Sequence, residues 1–396
     1  MSTDSTAADA PAAPPSETSI SIDLPTATHA SSGDGAAPAL RDRRLVINPS
    51  LHVVHCGEDE VLVIHGARSD FRRSIRDDGR TRTLGTVLQA MSRPAALADL
   101  LRDGAIADDQ EEAVLDLLEH LLAEHVLVGA DETPTGAYLA ALHGPTSPLA
   151  EATVGMVGTG ALGARVAEEL ARCGVGRLVL LDDRVAEDGD VRLLPGHVGK
   201  DVGYAEALRD RLDALELTEI EVAEGELHDK AAIEAVFERS DFVVVAADTF
   251  ASRLFHLADI ASIENDTPWV SAYLDGSEAC VGPFYVPGET ACYNEFEIQN
   301  EASLSIKRAD YYMYKEAMNR HGLRRSQFVL PSHFSAAAGL LASAVVPFLA
   351  YGRTYLVNRC LRLNFERPYV DYEEVLKLPR SPVSAATRHG YRHVFM

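Results

Sequence analysis

Cysteine is scarce in this sequence, five residues in 396, and none of the five stands in a C-x-x-C pair. Cys56, Cys173, Cys280, Cys292 and Cys360 are scattered and odd in number. That pattern speaks against a disulfide framework and a zinc knuckle and fits reduced thiols. Positive charge is short as well: 36 Lys and Arg against 60 Asp and Glu leave a formal net charge of -24. Like-charge repulsion then opposes non-specific binding to nucleic acid or to an anionic membrane, so neither is expected as a partner. The opening residues lack a basic stretch followed by an apolar core, so no secretory signal is read and a cytoplasmic location is expected. Long hydrophobic runs are few. The longest, "FSAAAGLLASAVVPFLAYG", contains Ser335, Ser343 and Pro347 and is bracketed by His333 and Arg353. It suits a buried helix better than a membrane span.

What is present suffices for two domains with substantial cores. Residues 1–42 are dominated by Ala, Pro, Ser, Thr and Asp, with few large apolar side chains to offset the entropy of ordering. They are expected to form a disordered tail. Residues 43–130 begin with "LHVVHC", "EVLVIHG" and "FRRSIRDD", which read as three strands of a small antiparallel meander. Three helical segments follow, "TLGTVLQAM", "ALADLLRDG" and "DQEEAVLDLLEHLLAEHVLVG", separated by Pro94 and Gly104. In the third, Ala113, Leu115, Leu117, Leu118, Leu121 and Leu122 make an apolar stripe, and Asp108 and Asp109 suit the helix N-terminus. Three strands and then three helices define a small domain of winged-helix type. A linker over 131–149 leads to residues 150–396, where strands alternate with helices. That rhythm implies an α/β domain with a Rossmann-like, doubly wound sheet.

The second domain opens with "EATVGMVGTGALGARVAEELARCGVGRLVLLDD". Gly158 allows a sharp turn out of the strand, Gly160 lets a phosphate approach the backbone, and Gly163 permits close packing of helix on sheet. Asp182 ends the next strand about twenty residues past the last glycine, where an acid would hold ribose hydroxyls. The same glycines equally suit a tight strand–helix turn with no ligand. A second constellation, "VVVAADTFASR", places Asp248 at the end of a later strand with Arg253 just beyond. Asp248 there could share a magnesium ion with phosphates, or simply cap the following helix and pair with Arg253.

Together these two stretches resemble the adenylating fold shared by ThiF, MoeB and the ubiquitin-activating enzymes. The resemblance implies ATP as the ligand of Gly158, Gly160, Gly163, Asp182 and Asp248, with magnesium at Asp248. Several positions depart from it. Asp190 and Leu193 fall near the family's Asn and Arg, and Tyr204 or Ala205 near its Lys, leaving Arg192 and Lys200 as substitutes close in sequence. Ala161 fills the second slot of the usual double glycine. The zinc-binding C-x-x-C pairs of many relatives are missing: Cys280 and Cys292 stand alone on an expected hairpin, "EACVGPFYVPGETACYNEF". Lost cations at the triphosphate weaken adenylation, because developing charge needs preorganised donors. The ATP site therefore reads as vestigial or weak, with no cofactor expected unless the chain adenylates, in which case Asp248 and Arg253 are the catalytic candidates.

A winged-helix unit before a degenerate ThiF-like domain resembles the leader-binding proteins of ribosomal peptide natural-product pathways. Their small domain is PqqD-like, and their ThiF-like part partners a YcaO cyclodehydratase. The resemblance implies a scaffold that captures a precursor peptide's leader and delivers it to a YcaO-type enzyme forming azolines, with a homodimer through the ThiF-like domain. The leader would add as a strand to the segment 68–76, contacting Arg68, Phe71, Arg72, Arg73, Ile75 and Arg76, with its apolar side chains against Leu117 and Leu121. The arginines favour an acidic leader; they could equally protect an edge strand from aggregation. The alternative is a peptide adenylyltransferase of the MccB type, activating a carboxylate with ATP.

Overall fold

Val61, Val63 and Ile75 occupy alternate positions of short strands, and in the computed structural model all three are buried. The structure describes residues 18–22, 37–57, 59–144, 147–187, 189–196, 199–307, 310–321 and 329–379. The chain divides into two units, Met1–Thr146 and Ser147–Met396.

The first unit runs β1 (Thr18–Ile22), α1 (Ala37–Asp42), β2 (Leu45–Ile47), β3 (His52–His55), β4 (Glu60–Ile64), β5 (Arg72–Asp77), α2 (Thr83–Ala90), α3 (Leu97–Arg102), α4 (Glu111–Ala123), β6 (Leu127–Gly129) and α5 (Pro134–His143). The expected meander is present as β3, β4 and β5, each antiparallel to the next. A fourth strand extends it: β1 pairs in parallel with β5, giving the order β1-β5-β4-β3. Of the stripe on α4, Leu117, Leu118 and Leu121 are buried, joined by Val114, in one core with Leu84, Val87 and Leu88 of α2 and Ile75 of β5, while Ala113, Leu115 and Leu122 are partly buried against it.

Two expected boundaries move. Residues 1–42 contain a strand and a helix, β1 and α1, where a disordered tail was expected. Leu40 of α1 joins the core, and Arg41 forms an ion pair with Glu111 at 3.2 Å. The expected linker, 131–149, carries α5. It starts because the Thr133 side chain accepts the Gly136 amide at 3.0 Å and Pro134 presets the first helical φ. Asn48 Nδ2 then donates to the Ala137 carbonyl at 2.8 Å, tying α5 to the first unit.

The second unit runs β7 (Thr153–Val157), α6 (Ala161–Arg172), β8 (Arg177–Leu181), α7 (Tyr204–Asp213), β9 (Glu219–Val222), α8 (Lys230–Glu238), β10 (Phe242–Ala247), α9 (Ser252–Asn265), β11 (Trp269–Asp275), β12 (Glu278–Tyr285), α10 (Tyr293–Lys307), α11 (Tyr311–His321), α12 (Pro331–Tyr351), β13 (Arg359–Asn364) and β14 (Tyr369–Glu374). Its sheet has the order β14-β13-β12-β11-β10-β7-β8-β9. From β11 to β9 the pairs are parallel, as alternating strands and helices predict. β12, β13 and β14 continue it antiparallel.

All six residues of β10 are buried, which fits a central strand with both faces covered. The long apolar run forms α12, whose Phe334, Ala337, Leu341, Val345 and Val346 are buried within this unit. The hairpin expected to carry both Cys280 and Cys292 is corrected: Cys280 lies on β12, between β11 and β13, whereas Cys292 immediately precedes α10.

Candidate functional site

The sheet changes direction of winding between β7 and β10, because the chain builds outward through β8 and β9 and then returns to the other side of β7. Ligands of doubly wound sheets bind outside the carboxyl ends of strands at such a switch point. Three loops meet there: the glycine turn after β7, Asp182 after β8, and Asp248 after β10.

The glycines are enforced by the protein's own packing. Gly158 has φ +90°, and a Cβ there would lie 2.2 Å from the Ala246 carbonyl oxygen. At Gly163 a Cβ would lie 2.0 Å from the Gly158 carbonyl oxygen, so α6 sits directly on the turn. At Gly160 the obstruction is a side chain, with Asp248 Oδ2 at 2.0 Å and an Arg184 nitrogen at 3.0 Å. Asp248 and Arg184 thus lie directly against the Gly160 backbone.

The carboxylates face inward and are satisfied internally. Asp248 is buried and accepts the Leu162 amide, at the start of α6, through Oδ1 at 2.9 Å. It takes the place an anionic ligand would occupy at a helix N-terminus. Asp182 is buried and accepts the Thr159 amide at 2.7 Å and the Thr159 hydroxyl at 3.3 Å. Arg184 folds back over both. Its Nε and Nη2 donate to the two Asp182 oxygens at 2.8 and 2.7 Å, its Nη1 lies 3.8 Å from Asp248 Oδ2, and its guanidinium stacks over Tyr204 at 4.9 Å. Beside Thr159 and Tyr204 a cavity of about 10 Å³ remains, roughly the room of one water.

Burial raises the Asp248 carboxyl above the usual carboxylate range, with Arg184 and the Leu162 and Ala161 amides pulling the other way. Burial would lower the Arg184 guanidinium, but Asp182 first and then Asp248 hold it raised and charged. Burial also lowers His228, aided by Arg253 and resisted by Asp183. The Leu227 amide donates to Asp183 at 2.8 Å, bringing the loop before α8 to the same crevice. Spacing alone did not single out Arg184 or His228, although an arginine two residues past a strand-ending aspartate was a readable signal.

The cation positions implied by the resemblance are apolar or filled differently. Leu193 and Ala205 are buried, Tyr204 packs under Arg184, and Arg192 and Lys200 are exposed. Arg253 lies exposed on the first turn of α9, and it is Arg184 that stands beside Asp248. Among the described residues, no three His, Cys, Asp or Glu side chains converge on a metal-sized site. In this arrangement the Leu162 amide and both carboxylates are engaged by the protein's own groups, and magnesium–ATP would have to displace Arg184 from them. Cys292 is not an activated nucleophile, since burial and then Asp259 push its thiol up to about 12.

In the first unit, Ile75, Leu117 and Leu121 belong to the core, so the groove expected against α4 is filled by the protein's own packing. Phe71 is half-buried beneath the Arg73 guanidinium at 4.9 Å, and Arg73 reaches Glu124 at 3.4 Å. Arg76 pairs with Glu60 at 3.1 Å, and Arg68, Arg72 and Arg76 are exposed.

A strand–glycine-turn–helix with acids closing the two flanking strands defines an α/β protein of the doubly wound, nucleotide-binding fold. Residues 141–377 match the ThiF family, and the chain belongs to that family. The SAMP-activating enzyme E1 of Haloferax volcanii is 34% identical over 119 residues, spanning 29% of this chain and 43% of that protein. The chain thus aligns with less than half of that relative's length. Crystal structures of E. coli MccB share the fold. One with ATP aligns at TM-score 0.57 and 18% identity, and one with N-formylated MccA at 0.58 and 17%, each covering 86% of this chain and 99% of MccB.

Proposed function

We propose that this ThiF-family protein is a peptide-capturing scaffold. Its first unit takes the leader of a ribosomal precursor peptide along β5. Its second unit does not adenylate, and the protein delivers the captured peptide to a YcaO-type cyclodehydratase that converts Cys, Ser or Thr residues into azolines. The observation that carries this reading is Arg184, clamped on Asp182 and beside Asp248 over Gly160. A working phosphate cradle leaves its helix amides and the space above its glycine to the ligand. Added-strand binding suits a small sheet, because backbone hydrogen bonds supply affinity without a deep pocket. The likeness to MccB, crystallised with MccA, over 86% of this chain supports a peptide as the partner.

A second reading, ATP-dependent adenylylation of a peptide carboxylate, is favoured by the convergence of the glycine turn, Asp182 and Asp248 on one crevice. It requires Arg184 to release both carboxylates, and phosphate-gripping cations that Leu193 and Ala205 do not supply. The peptide-capture reading is tested with an acidic leader peptide and the full chain carrying Arg72→Glu and Arg76→Glu. Reversing two exposed charges is expected to weaken binding about tenfold at low salt, roughly 1.4 kcal/mol. An affinity unchanged within about twofold, where about 0.4 kcal/mol separates the two proteins, sinks the proposed site.

A further inference from the structure

The outer side of β5 is already occupied. Thr18–Ile22 pair with it in the register Thr18↔Arg73, Ser19↔Ser74, Ile20↔Ile75, Ser21↔Arg76 and Ile22↔Asp77. This contact is not local, since β1 and β5 are separated in sequence by α1, β2, β3 and β4. The segment has the make of a strand, "TSISI", with β-branched Thr18, Ile20 and Ile22 at alternate positions. Ile20 and Ile22 fall in register with Ile75 and Asp77, the two fully buried residues of β5. Ser19 and Ser21 fall in register with Ser74 and the exposed Arg76. In sequence the strand is flanked by Glu17 and Asp23.

We infer that β5 is a peptide-docking edge whose resident occupant is the chain's own Thr18–Ile22. The partner that fits it is a peptide of the same make: a short stretch with Ile, Val or Thr at alternate positions, acidic flanks, running parallel to β5. This rests on the peptide-capture reading and adds competition to it, because a leader reaches β5 only by displacing β1. The resident strand belongs to the same chain as the edge it covers, so it competes intramolecularly. An intramolecular competitor acts at an effective concentration of about 1 mM, so a strand with an intrinsic Kd of about 0.2 mM weakens a competing peptide about sixfold.

The test uses the full chain, wild type and the double variant Ile20→Pro with Ser21→Pro. Successive residues of a strand direct their amides to opposite sides, so one of the two prolines removes a donor facing β5. The probe is a fluorescein-labelled synthetic peptide with the sequence of residues 16–24, SETSISIDL, followed by anisotropy. The probe is expected to bind the double variant about sixfold tighter than wild type. Amides of Arg72–Asp77 should exchange with deuterium faster in the variant, while those of α4 stay unchanged and report an intact first unit. Ile20→Asp with Ile22→Asp, which weakens the strand without proline, should shift both readouts in the same direction. Equal affinity for wild type and both variants, or no binding to either variant, overturns the resident strand. An acidic leader peptide that fails to displace the probe from the double variant overturns the peptide-capture reading and leaves the resident strand standing.

Discussion

Replacing Arg184 with alanine withdraws the guanidinium that rests on both carboxylates of the crevice. The Asp182 side chain has no exposed surface and that of Asp248 has 5%, so neither recovers full hydration when its cation leaves. Two charge-assisted bonds to Asp182, at 2.8 and 2.7 Å, are lost; such bonds are worth about 1.5–3 kcal/mol each. Arg184 itself is 37% exposed, and water screens part of that gain. The backbone amides that hold Asp182 and Asp248 also remain. The net expectation is a loss of about 2–3 kcal/mol at neutral pH.

The loss should depend on pH with a defined sign. Burial already raises the Asp248 carboxyl, and removing Arg184 takes away the largest opposing influence and raises it further. The folded variant then holds that proton more tightly than the unfolded chain does. Its stability falls as pH rises from the ordinary carboxylate value through the folded-state value. The deficit against wild type is therefore largest at neutral pH and shrinks on acidification. Urea unfolding of the second unit at pH 7.5 and pH 5 measures both points. A deficit below about 0.5 kcal/mol at pH 7.5, the range of an ordinary surface change, or one that grows toward acid, would refute the clamp.

The three glycines should separate by what a methyl group would meet. Gly158→Ala and Gly163→Ala place a Cβ against backbone oxygens at 2.2 and 2.0 Å and are expected to cost about 2–4 kcal/mol by thermal or urea unfolding. Gly160→Ala meets the Asp248 carboxylate instead and should cost less, about 1–2 kcal/mol; a larger cost at Gly160 contradicts the packing role given to the other two. Ile75→Ala and Leu117→Ala should each lose about 2–5 kcal/mol of first-unit stability, and a marginal loss would return them to the peptide groove. Cys292, with its thiol pushed up to about 12, carries roughly one thiolate in ten thousand at pH 8. Exposed Cys56 should therefore alkylate well ahead of it by mass spectrometry, and equal rates would reinstate Cys292 as a nucleophile candidate.

Local signals carried much of this architecture. The glycine turn, the strand-ending aspartates and the alternation of strands with helices foretell the parallel winding of β7 to β11. They bring Gly158, Gly160, Gly163, Asp182 and Asp248 to one crevice. What remained hidden depends on contacts between distant residues. Arg184 reaches Asp182 locally, but its place beside Asp248 depends on β10, which delivers that carboxylate from far along the sequence. β1 lies in a segment whose composition argues for disorder; its alternating Ile and Ser are a legible strand pattern, but the pairing with β5 is not local. The helix α5 carried a readable start in Thr133 and Pro134, masked by an Ala-rich continuation with no amphipathic stripe. Leu117 and Leu121 were correctly legible as an apolar stripe, yet periodicity does not say whether a stripe faces the core or a guest.

The central claim, that the nucleotide crevice of this ThiF-family protein is filled by its own Arg184 and Asp248, is tested most directly by ATP–pyrophosphate exchange. The assay uses the purified full chain with magnesium and an acidic precursor peptide, and Asp248→Ala as the reference. A filled crevice gives exchange no higher than the Asp248→Ala background. Robust exchange in the wild type, abolished by Asp248→Ala, contradicts the scaffold and makes the protein an adenylyltransferase.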